Sequence, residues 1–286
     1  MANVTLFYNN LVDSGTLSGG SWETALPLTN LQNRLVARVA RSVDATTANT
    51  KFVIDLGSGS LKYKGLILVN HNGSLDGQAR IKTASNSGIT TGVIDSGWVE
   101  FYQPLYSTLS LEWEDNNWWS GTIELEDLQN YTRNYTYIFD DLQTNRYIQV
   151  EIDDTTNSDG YVEIGRLFIS EAFTPSTNMS WGKNLSWNDE SKIDTSLGGS
   201  IYFDEKVKYR SLTFNTDWLT DTEAYERVFE IQRIVGTTGE VFVSPDYENT
   251  GNSFRDSFLG VFKQLSGIEQ FTYGYQKTSF SIREVK

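Results

Sequence analysis

The chain has 286 residues, of which 38% are hydrophobic and 13% aromatic, and its formal net charge is -14. So many aromatic residues exclude a disordered chain, and the acidic balance argues against nucleic acid as a partner, because a negative surface repels a phosphate backbone. The absence of cysteine and the presence of a single histidine exclude disulfides and thiol chemistry, and they leave almost no material for common zinc sites or a Ser-His-Asp triad.

The first part of the chain is rich in predicted strands. Apolar and β-branched runs predict strands at residues 4–8, 51–56, 63–70, 79–85, 93–102, 135–140, 146–152 and 161–169. The run at 63–70 is apolar almost throughout, which predicts a strand buried on both faces. The last two strands are joined by a polar stretch that ends in Asp159 and Gly160. Asp-Gly ahead of an apolar run is typical of β-hairpins, so we expect these two strands to pair.

The chain changes character near Pro175, where we place a boundary between a domain of residues 1–175 and one of residues 176–286. Further strands are predicted at 209–214, 240–243, 257–264 and 270–283, and one helix at about 220–235. Thr220 and Glu223 fit a capping box at its start, and Gly236 ends it. The apolar side chains at helical spacing are Tyr225, Val228, Phe229, Ile231, Ile234 and Val235. The pattern predicts a mainly β protein, with an all-β first domain and a second domain that adds one packed helix.

Three tryptophans lie close together in the segment EWEDNNWWSG at residues 112–121. Tryptophan faces can stack on the apolar C–H faces of sugar rings, while neighbouring carboxylates and amides bond to the hydroxyls. The alternative is that these tryptophans belong to a core or an interface, as large aromatic residues usually do. The candidate glycan-binding residues are Asn116, Asn117, Trp118 and Trp119, with Tyr102 and Tyr106 as secondary candidates.

Catalysis has few possible bases in this sequence. Glu112, Glu114 and Asp115 beside the tryptophans are the only candidates for carboxylate-dependent glycoside hydrolysis. His71 follows a buried strand, where a turn residue or a packed ring is favoured over a catalytic role. No Gly-x-Ser-x-Gly motif, phosphate-binding loop or dinucleotide fingerprint occurs in a strand-to-helix context. We therefore predict that the chain is not an enzyme and has no cofactor.

A calcium site is the remaining possibility for a metal. Residues 155–166 resemble part of an EF-hand loop, but Arg166 stands where that loop needs a bidentate glutamate, and strands replace the flanking helices. A turn is favoured for this stretch. A structural calcium site of another geometry in the first domain remains an open alternative.

Residues 20–175 resemble a galactose-binding-like (discoidin-type) β-sandwich of the jelly-roll type. The resemblance lies in LPLTNL (26–31) with ARS (40–42), in FVIDLG (52–57) followed by GLILVNHN (65–72), and in RYIQVEI (146–152) with YVEIGRLFI (161–169). It implies paired central strands and a final hairpin that closes the sandwich. Domains of this family often bind glycans or surfaces through loops at one pole, while others are architectural.

The second domain resembles the C-terminal part of tailed-bacteriophage virion proteins that join such a sandwich to a small β domain. The similar stretches are YRSLTF (209–214), WLT (218–220) and GTTGEVFVSPD (236–246). This implies a structural component of a phage tail tip or baseplate that folds in the host cytoplasm. It would form a three- or six-fold homo-oligomeric ring with other virion tail proteins. The alternative is a carbohydrate-binding module that attaches the particle to host surface glycans. Neither interpretation involves nucleic acid or membrane insertion.

Overall fold

The structure is a computed structural model that describes residues 2–59, 61–106, 111–115, 117–124 and 126–286. Strands account for 42% and helices for 12%, which confirms the mainly β class. The strands, in chain order, are β1 (Thr5–Tyr8), β2 (Thr16–Ser18), β3 (Ala40–Arg41), β4 (Phe52–Asp55), β5 (Tyr63–His71), β6 (Gln78–Ala84), β7 (Ile94–Glu100), β8 (Asn134–Gln143), β9 (Tyr147–Asp153), β10 (Glu163–Phe173), β11 (Asn184–Asn188), β12 (Lys192–Thr195), β13 (Ile201–Asp204), β14 (Tyr209–Thr220), β15 (Glu240–Ser244), β16 (Phe258–Gln264), β17 (Glu269–Thr272) and β18 (Tyr275–Glu284).

The helices are short. They are two 3-10 helices (Leu11–Ser14 and Leu28–Gln32), α1 (Thr47–Thr50), a π-helix (Glu223–Val228) that continues as α2 (Phe229–Val235), and α3 (Thr250–Asp256). Across the described ranges, no helix has both the length and the apolar character needed to cross a membrane.

The chain forms two compact units. We call Phe7–Ala172 with Tyr247–Arg255 the sandwich unit, and Met1–Leu6 with Phe173–Asp246 and Asp256–Lys286 the helix unit. The domain boundary at residues 175 and 176 stays a prediction.

Two antiparallel sheets build the sandwich unit. One has the order β2-β4-β9-β6-β7, and in the other β10 lies between β3 and β5, with β8 on the far side of β5. Ile148 and Val150 of the first sheet share one buried core with Leu66 and Leu68 of the second. Because full burial of such a side chain stabilises the fold by about 1.5–3 kcal/mol, this shared core holds the sheets face to face. The predicted β-sandwich is confirmed.

Strand β5 is buried on both faces. Leu66, Ile67, Leu68 and Val69 are consecutive, so they point to alternating sides of the sheet, and none is exposed to solvent. The nearly continuous apolar run had predicted this burial.

The expected hairpin between β9 and β10 is wrong, because the two strands lie in different sheets. Residues 154–162 instead carry the chain from one sheet to the other. The buried carboxylate of Asp154 accepts a hydrogen bond of 2.7 Å from the side chain of Asn157, and Gly160 N donates to Asn157 O at 3.0 Å. The same correction applies to β4 and β5, which also lie in different sheets. An Asp-Gly dipeptide indicates a turn, but it does not specify whether the next strand pairs in the same sheet or crosses over.

The helix unit contains a sheet of order β11-β14-β18-β16-β15, with β17 paired to β18, and a separate two-stranded sheet of β12 and β13. The predicted capping box is present at the start of its helix. Thr220 N donates to Glu223 Oε2 at 3.0 Å, and Glu223 N donates to Thr220 Oγ1 at 3.3 Å. One helix packed on a small β unit is therefore confirmed.

The apolar stripe predicted for this helix is only partly correct. The side chains that it buries are Ala224, Val228, Ile231 and Val235, whereas Tyr225, Phe229 and Ile234 are exposed. The first part of the helix is a π-helix, whose hydrogen bonds span five residues instead of four. The wider turn changes which side chains face the sheet, so ordinary helical spacing misplaces three of the six residues.

A buried ion pair lies within the helix unit. Arg210 and Glu284 have fully buried side chains that form a salt bridge, and Arg210 N also donates to Glu284 Oε2 at 2.8 Å. The guanidinium carbon of Arg210 lies 4.9 Å from the ring centroid of Phe258. Each charge depends on the other, because an unpaired charge in such a site is strongly destabilising.

Candidate functional site

The segment that contains the three tryptophans connects the two sheets of the sandwich unit. We call residues 101–133, between β7 and β8, the Trp loop. Its two ends are held by strand pairing, Glu100 with Gln78 and Asn134 with Val69. The side chains of Ile123 and Leu128 within the loop are buried in the core of the sandwich. Although irregular, the loop is therefore anchored at both ends and along its length.

The three tryptophan rings of the loop pack on one another edge to face. The ring centroids lie 4.8 Å apart for Trp113 and Trp118, 4.6 Å for Trp118 and Trp119, and 5.8 Å for Trp113 and Trp119. Such contacts contribute about 0.5–1.5 kcal/mol each beyond area burial. Trp118 is half-buried, but Trp113 is 71% and Trp119 79% exposed. Mutual packing thus positions the rings while two of them stay open to solvent.

A glycine closes the stem below these rings. Gly121 N donates to Asn117 O at 2.7 Å, while Gly121 O accepts from Leu105 N at 2.8 Å and from Tyr106 N at 2.9 Å. Gly121 has a φ of +64, and a Cβ at this position would lie 2.4 Å from Tyr106 O. Both the left-handed backbone and the close approach require glycine.

The remaining predicted glycan-binding residues have different environments. Asn117 uses its side-chain amide to donate to Thr122 O at 2.7 Å, which holds the loop. Tyr106 is half-buried at the stem. Asn116 lies outside the described residues. The structure therefore places Asn117, Trp118, Trp119 and Tyr106 in one loop and adds Trp113 as a second bare ring.

Tyr102 is buried, with 8% of its surface exposed. Burial raises the pKa of its hydroxyl to about 12, and its ring centroid is 5.8 Å from that of His71. Tyr102 thus packs beneath the loop and offers no ring face to a ligand.

His71 is a packed ring, as expected. Its Nδ1 accepts a hydrogen bond of 3.1 Å from Gly73 N, and its centroid lies 4.7 Å from that of Phe101. Burial, together with the charge of Arg133, lowers the pKa of His71 to about 3. The imidazole is therefore neutral at neutral pH and supports the base of the Trp loop.

The carboxylates of the Trp loop are exposed. Glu112 N donates to Asp115 Oδ2 at 2.8 Å, which makes a local turn. Over the part of the chain that the structure describes, no group of three or more His, Asp or Glu side chains is placed to hold a metal ion. Glycoside hydrolysis and a calcium site both stay untested predictions.

The stretch that resembles an EF-hand is used structurally. Asp154 accepts hydrogen bonds from Ser74 N at 3.1 Å and from Asn157 Nδ2 at 2.7 Å. Arg166 is buried and pairs with Asp13 at 2.7 Å, where an EF-hand loop would place its glutamate. These contacts support the turn that the sequence favoured.

Sequence reasoning did not single out two exposed surfaces of the helix unit. In one, the ring of Trp218 lies 5.1 Å from that of Phe271 and 5.5 Å from that of Tyr275. The other is the β12–β13 hairpin. Gly198 and Gly199 between short apolar stretches would have been a usable signal for that hairpin.

No family model and no curated protein matches the sequence. Among solved structures, the chain resembles the family 32 carbohydrate-binding module of Clostridium perfringens NanJ in complex with galactose, with 14% identity, 58% of this chain and 99% of that chain covered, and a TM-score of 0.37. CpGH89CBM32-4 from Clostridium perfringens, in complex with GlcNAc-α-1,4-galactose, has 15% identity, coverage of 57% and 93%, and a TM-score of 0.37. A serum f-lectin of striped bass, Morone saxatilis, has 11% identity, coverage of 98% and 93%, and a TM-score of 0.36. Likeness at this level carries no information on ligand or activity.

Proposed function

We propose that the sandwich unit binds carbohydrate through the Trp loop. The observation that supports this most directly is the pair of bare rings of Trp113 and Trp119, held by packing on Trp118 above the stem of Gly121. Tryptophan is highly buried on average, and an apolar patch that stays exposed is typical of an interaction site. The rings are large, flat and fixed, which suits stacking on the C–H face of a pyranose.

The polar residues around the rings favour neutral sugars. Glu112, Glu114 and Asp115 lie beside the tryptophans, and no Lys or Arg occurs between residues 103 and 132. Carboxylates accept hydrogen bonds from sugar hydroxyls, while the same charges repel sialic acids and sulfated sugars. The expected ligand class is therefore an uncharged glycan.

Glycan binding by the full chain tests this proposal. On an array of neutral and acidic glycans, the wild-type chain should bind a subset of the neutral ones. The double variant Trp113→Ala/Trp119→Ala should bind them at least about 10-fold more weakly, because it removes both stacking faces. Trp181→Ala is a matched control, since Trp181 is a fully exposed tryptophan of the helix unit. Absence of wild-type binding, or equal binding by the double variant, would refute the proposal.

The exposed aromatic rings of the helix unit favour a second candidate, a subunit of a larger assembly. The cluster of Trp218, Phe271 and Tyr275 has no place in a sugar site on the sandwich unit, and exposed aromatics are enriched where proteins associate. We infer that the helix unit mediates this assembly, and the phage tail tip or baseplate is the setting that the sequence resemblance predicts. Deleting the gene from a phage that encodes it should leave particles without a complete tail. Complete and infectious particles would contradict this second candidate.

A further inference from the structure

The β12–β13 hairpin projects no side chain into the core of the helix unit. All eight residues of Lys192–Thr195 and Ile201–Asp204 are exposed. Among the described strands, β12 and β13 pair only with each other. A two-stranded sheet is at best marginally stable alone in water, and independent stability needs a third strand or a packed face. Something must therefore extend or cover this hairpin.

The hairpin has one apolar face and one polar face. Its register pairs Ile193 with Phe203 and Thr195 with Ile201, which places these four side chains on one side. Ile193 is 66%, Phe203 65% and Ile201 56% exposed. The other side carries Lys192 opposite Asp204 and Asp194 opposite Tyr202.

The outer edge of β12 is open for hydrogen bonding. Ser196 N donates to Ser200 O at 2.8 Å across the turn. Backbone groups alternate in direction along an antiparallel strand, so residues 192 and 194 point toward β13. The N–H and C=O groups of Ile193 and Thr195 therefore point away from β13, where another strand can bond to them.

We propose that β12 pairs with β12 of a second copy of this chain, antiparallel about a two-fold axis at Ile193. In this register Ile193 exchanges both backbone hydrogen bonds with Ile193 of the second copy. Lys192 then lies opposite Asp194 of the second copy, and Asp194 lies opposite its Lys192. These flanking positions are non-hydrogen-bonded pairs, in which facing side chains come closest. Two charge pairs form at once because the Lys-Ile-Asp sequence complements itself.

The pairing also completes the apolar face. Four strands in the order β13-β12-β12-β13 would place Phe203, Ile193, Ile193 and Phe203 in one row across the new sheet. Strand β13 does not offer the same match, because centring a pair on its Phe203 sets Tyr202 opposite Asp204. Self-complementary charge thus favours β12 as the edge and a second copy as its occupant. The pairing is independent of sugar binding by the Trp loop.

Sedimentation velocity of the full chain over a concentration series tests the pairing. The wild type should form a dimer. Asp194→Lys sets lysines against each other at both charge pairs and should weaken the dimer at least about 10-fold. Asp141→Lys makes the same charge change on an exposed position of β8 and should leave the mass unchanged. Circular dichroism checks that each variant is folded.

A mixing experiment separates pairing from general damage to the hairpin. The variant Lys192→Asp/Asp204→Lys keeps opposite charges within its own hairpin but sets carboxylates against each other in the dimer. It should be monomeric alone, as should Asp194→Lys, and an equimolar mixture of the two should restore dimers. A monomeric wild type, an oligomer that Asp194→Lys does not weaken, or a mixture that stays monomeric would each overturn the proposal.

Discussion

The Trp loop and the β12–β13 hairpin both expose large apolar side chains, but they are held in place differently. The Trp loop is irregular, yet the buried side chains of Ile123 and Leu128 and the hydrogen bonds of Gly121 fix it to the sandwich. The hairpin is regular, yet none of its side chains is buried. Burial, more than regular secondary structure, offsets the entropy lost on ordering a chain. The anchored loop is thus suited to a small ligand, whereas the unanchored hairpin needs a macromolecular partner.

The largest expected effect comes from Glu284→Ala, which leaves the buried guanidinium of Arg210 without its carboxylate. Loss of one partner from a buried pair costs about 3–5 kcal/mol of folding free energy. In urea denaturation, the variant should show that loss and should no longer dimerise, while it still binds glycan. Glu230→Ala, which removes an exposed ion pair with Arg233, should change none of these properties. Equal loss of glycan binding and dimerisation would contradict the separation of the two surfaces.

Gly121→Ala should have the opposite specificity. It forces a left-handed backbone onto alanine and brings Cβ to 2.4 Å from Tyr106 O, with a strain of about 1–3 kcal/mol. Glycan affinity measured by calorimetry should fall because the stem of the Trp loop must move, and the sedimentation of the dimer should not change.

Gly57→Ala is the matched control for that variant. Gly57 has a φ of +80, but no atom lies within 4 Å of the position of its Cβ. It should therefore cost only the left-handed backbone term, about 1–2 kcal/mol, and leave glycan affinity intact. If both glycine variants bound glycan as tightly as the wild type, the stem would not position the tryptophans.

Hydrogen exchange sharpens the comparison without any mutation. The amide of Ile193 points away from β13, so only a second copy can protect it. Its exchange should slow as protein concentration rises through the dimerisation range. The stem amides of Leu105, Tyr106 and Gly121 donate within the loop and should exchange at the same rate at every concentration. Protection of Ile193 that does not depend on concentration would contradict an intermolecular β12 pair.

The smallest expected effect is that of Asp95→Asn, which touches neither surface. Hydrogen bonding with Arg80 lowers the pKa of Asp95 to about 2, against an ordinary value of about 3.9. Because the folded pKa is depressed, the stabilisation is present above about pH 4 and is lost as the pH falls through about 2. The pair is partly exposed, so the variant should lose less than about 1 kcal/mol at pH 7. Thermal unfolding of wild type and variant should converge near pH 2, and a constant difference would contradict the assignment.

The sequence predicted those elements whose own side chains determine them. The apolar run of β5 and the capping box of Thr220 and Glu223 are local signals, and both are present. The sheet assignment of β9 and β10 was not predictable in this way, because the turn at Asp159 and Gly160 serves a crossover as well as a hairpin. The π-helix also changed the buried face in a way that regular spacing cannot show.

The candidate site was predictable in part. Aromatic residues beside amides and carboxylates identified the segment of Trp118 and Trp119, but burial depends on contacts distant in sequence. Tyr102 is close to the tryptophans along the chain, yet it packs on His71 below them. The β12–β13 hairpin escaped prediction because an exposed strand has no core to impose an alternating pattern.

The most direct test of the account is the glycan array with three forms of the full chain. We predict that the wild type and Trp181→Ala bind the same neutral glycans, and that Trp113→Ala/Trp119→Ala binds them at least about 10-fold more weakly. An unchanged signal from the double variant, or a preference for sialylated or sulfated glycans, would contradict carbohydrate binding through the Trp loop.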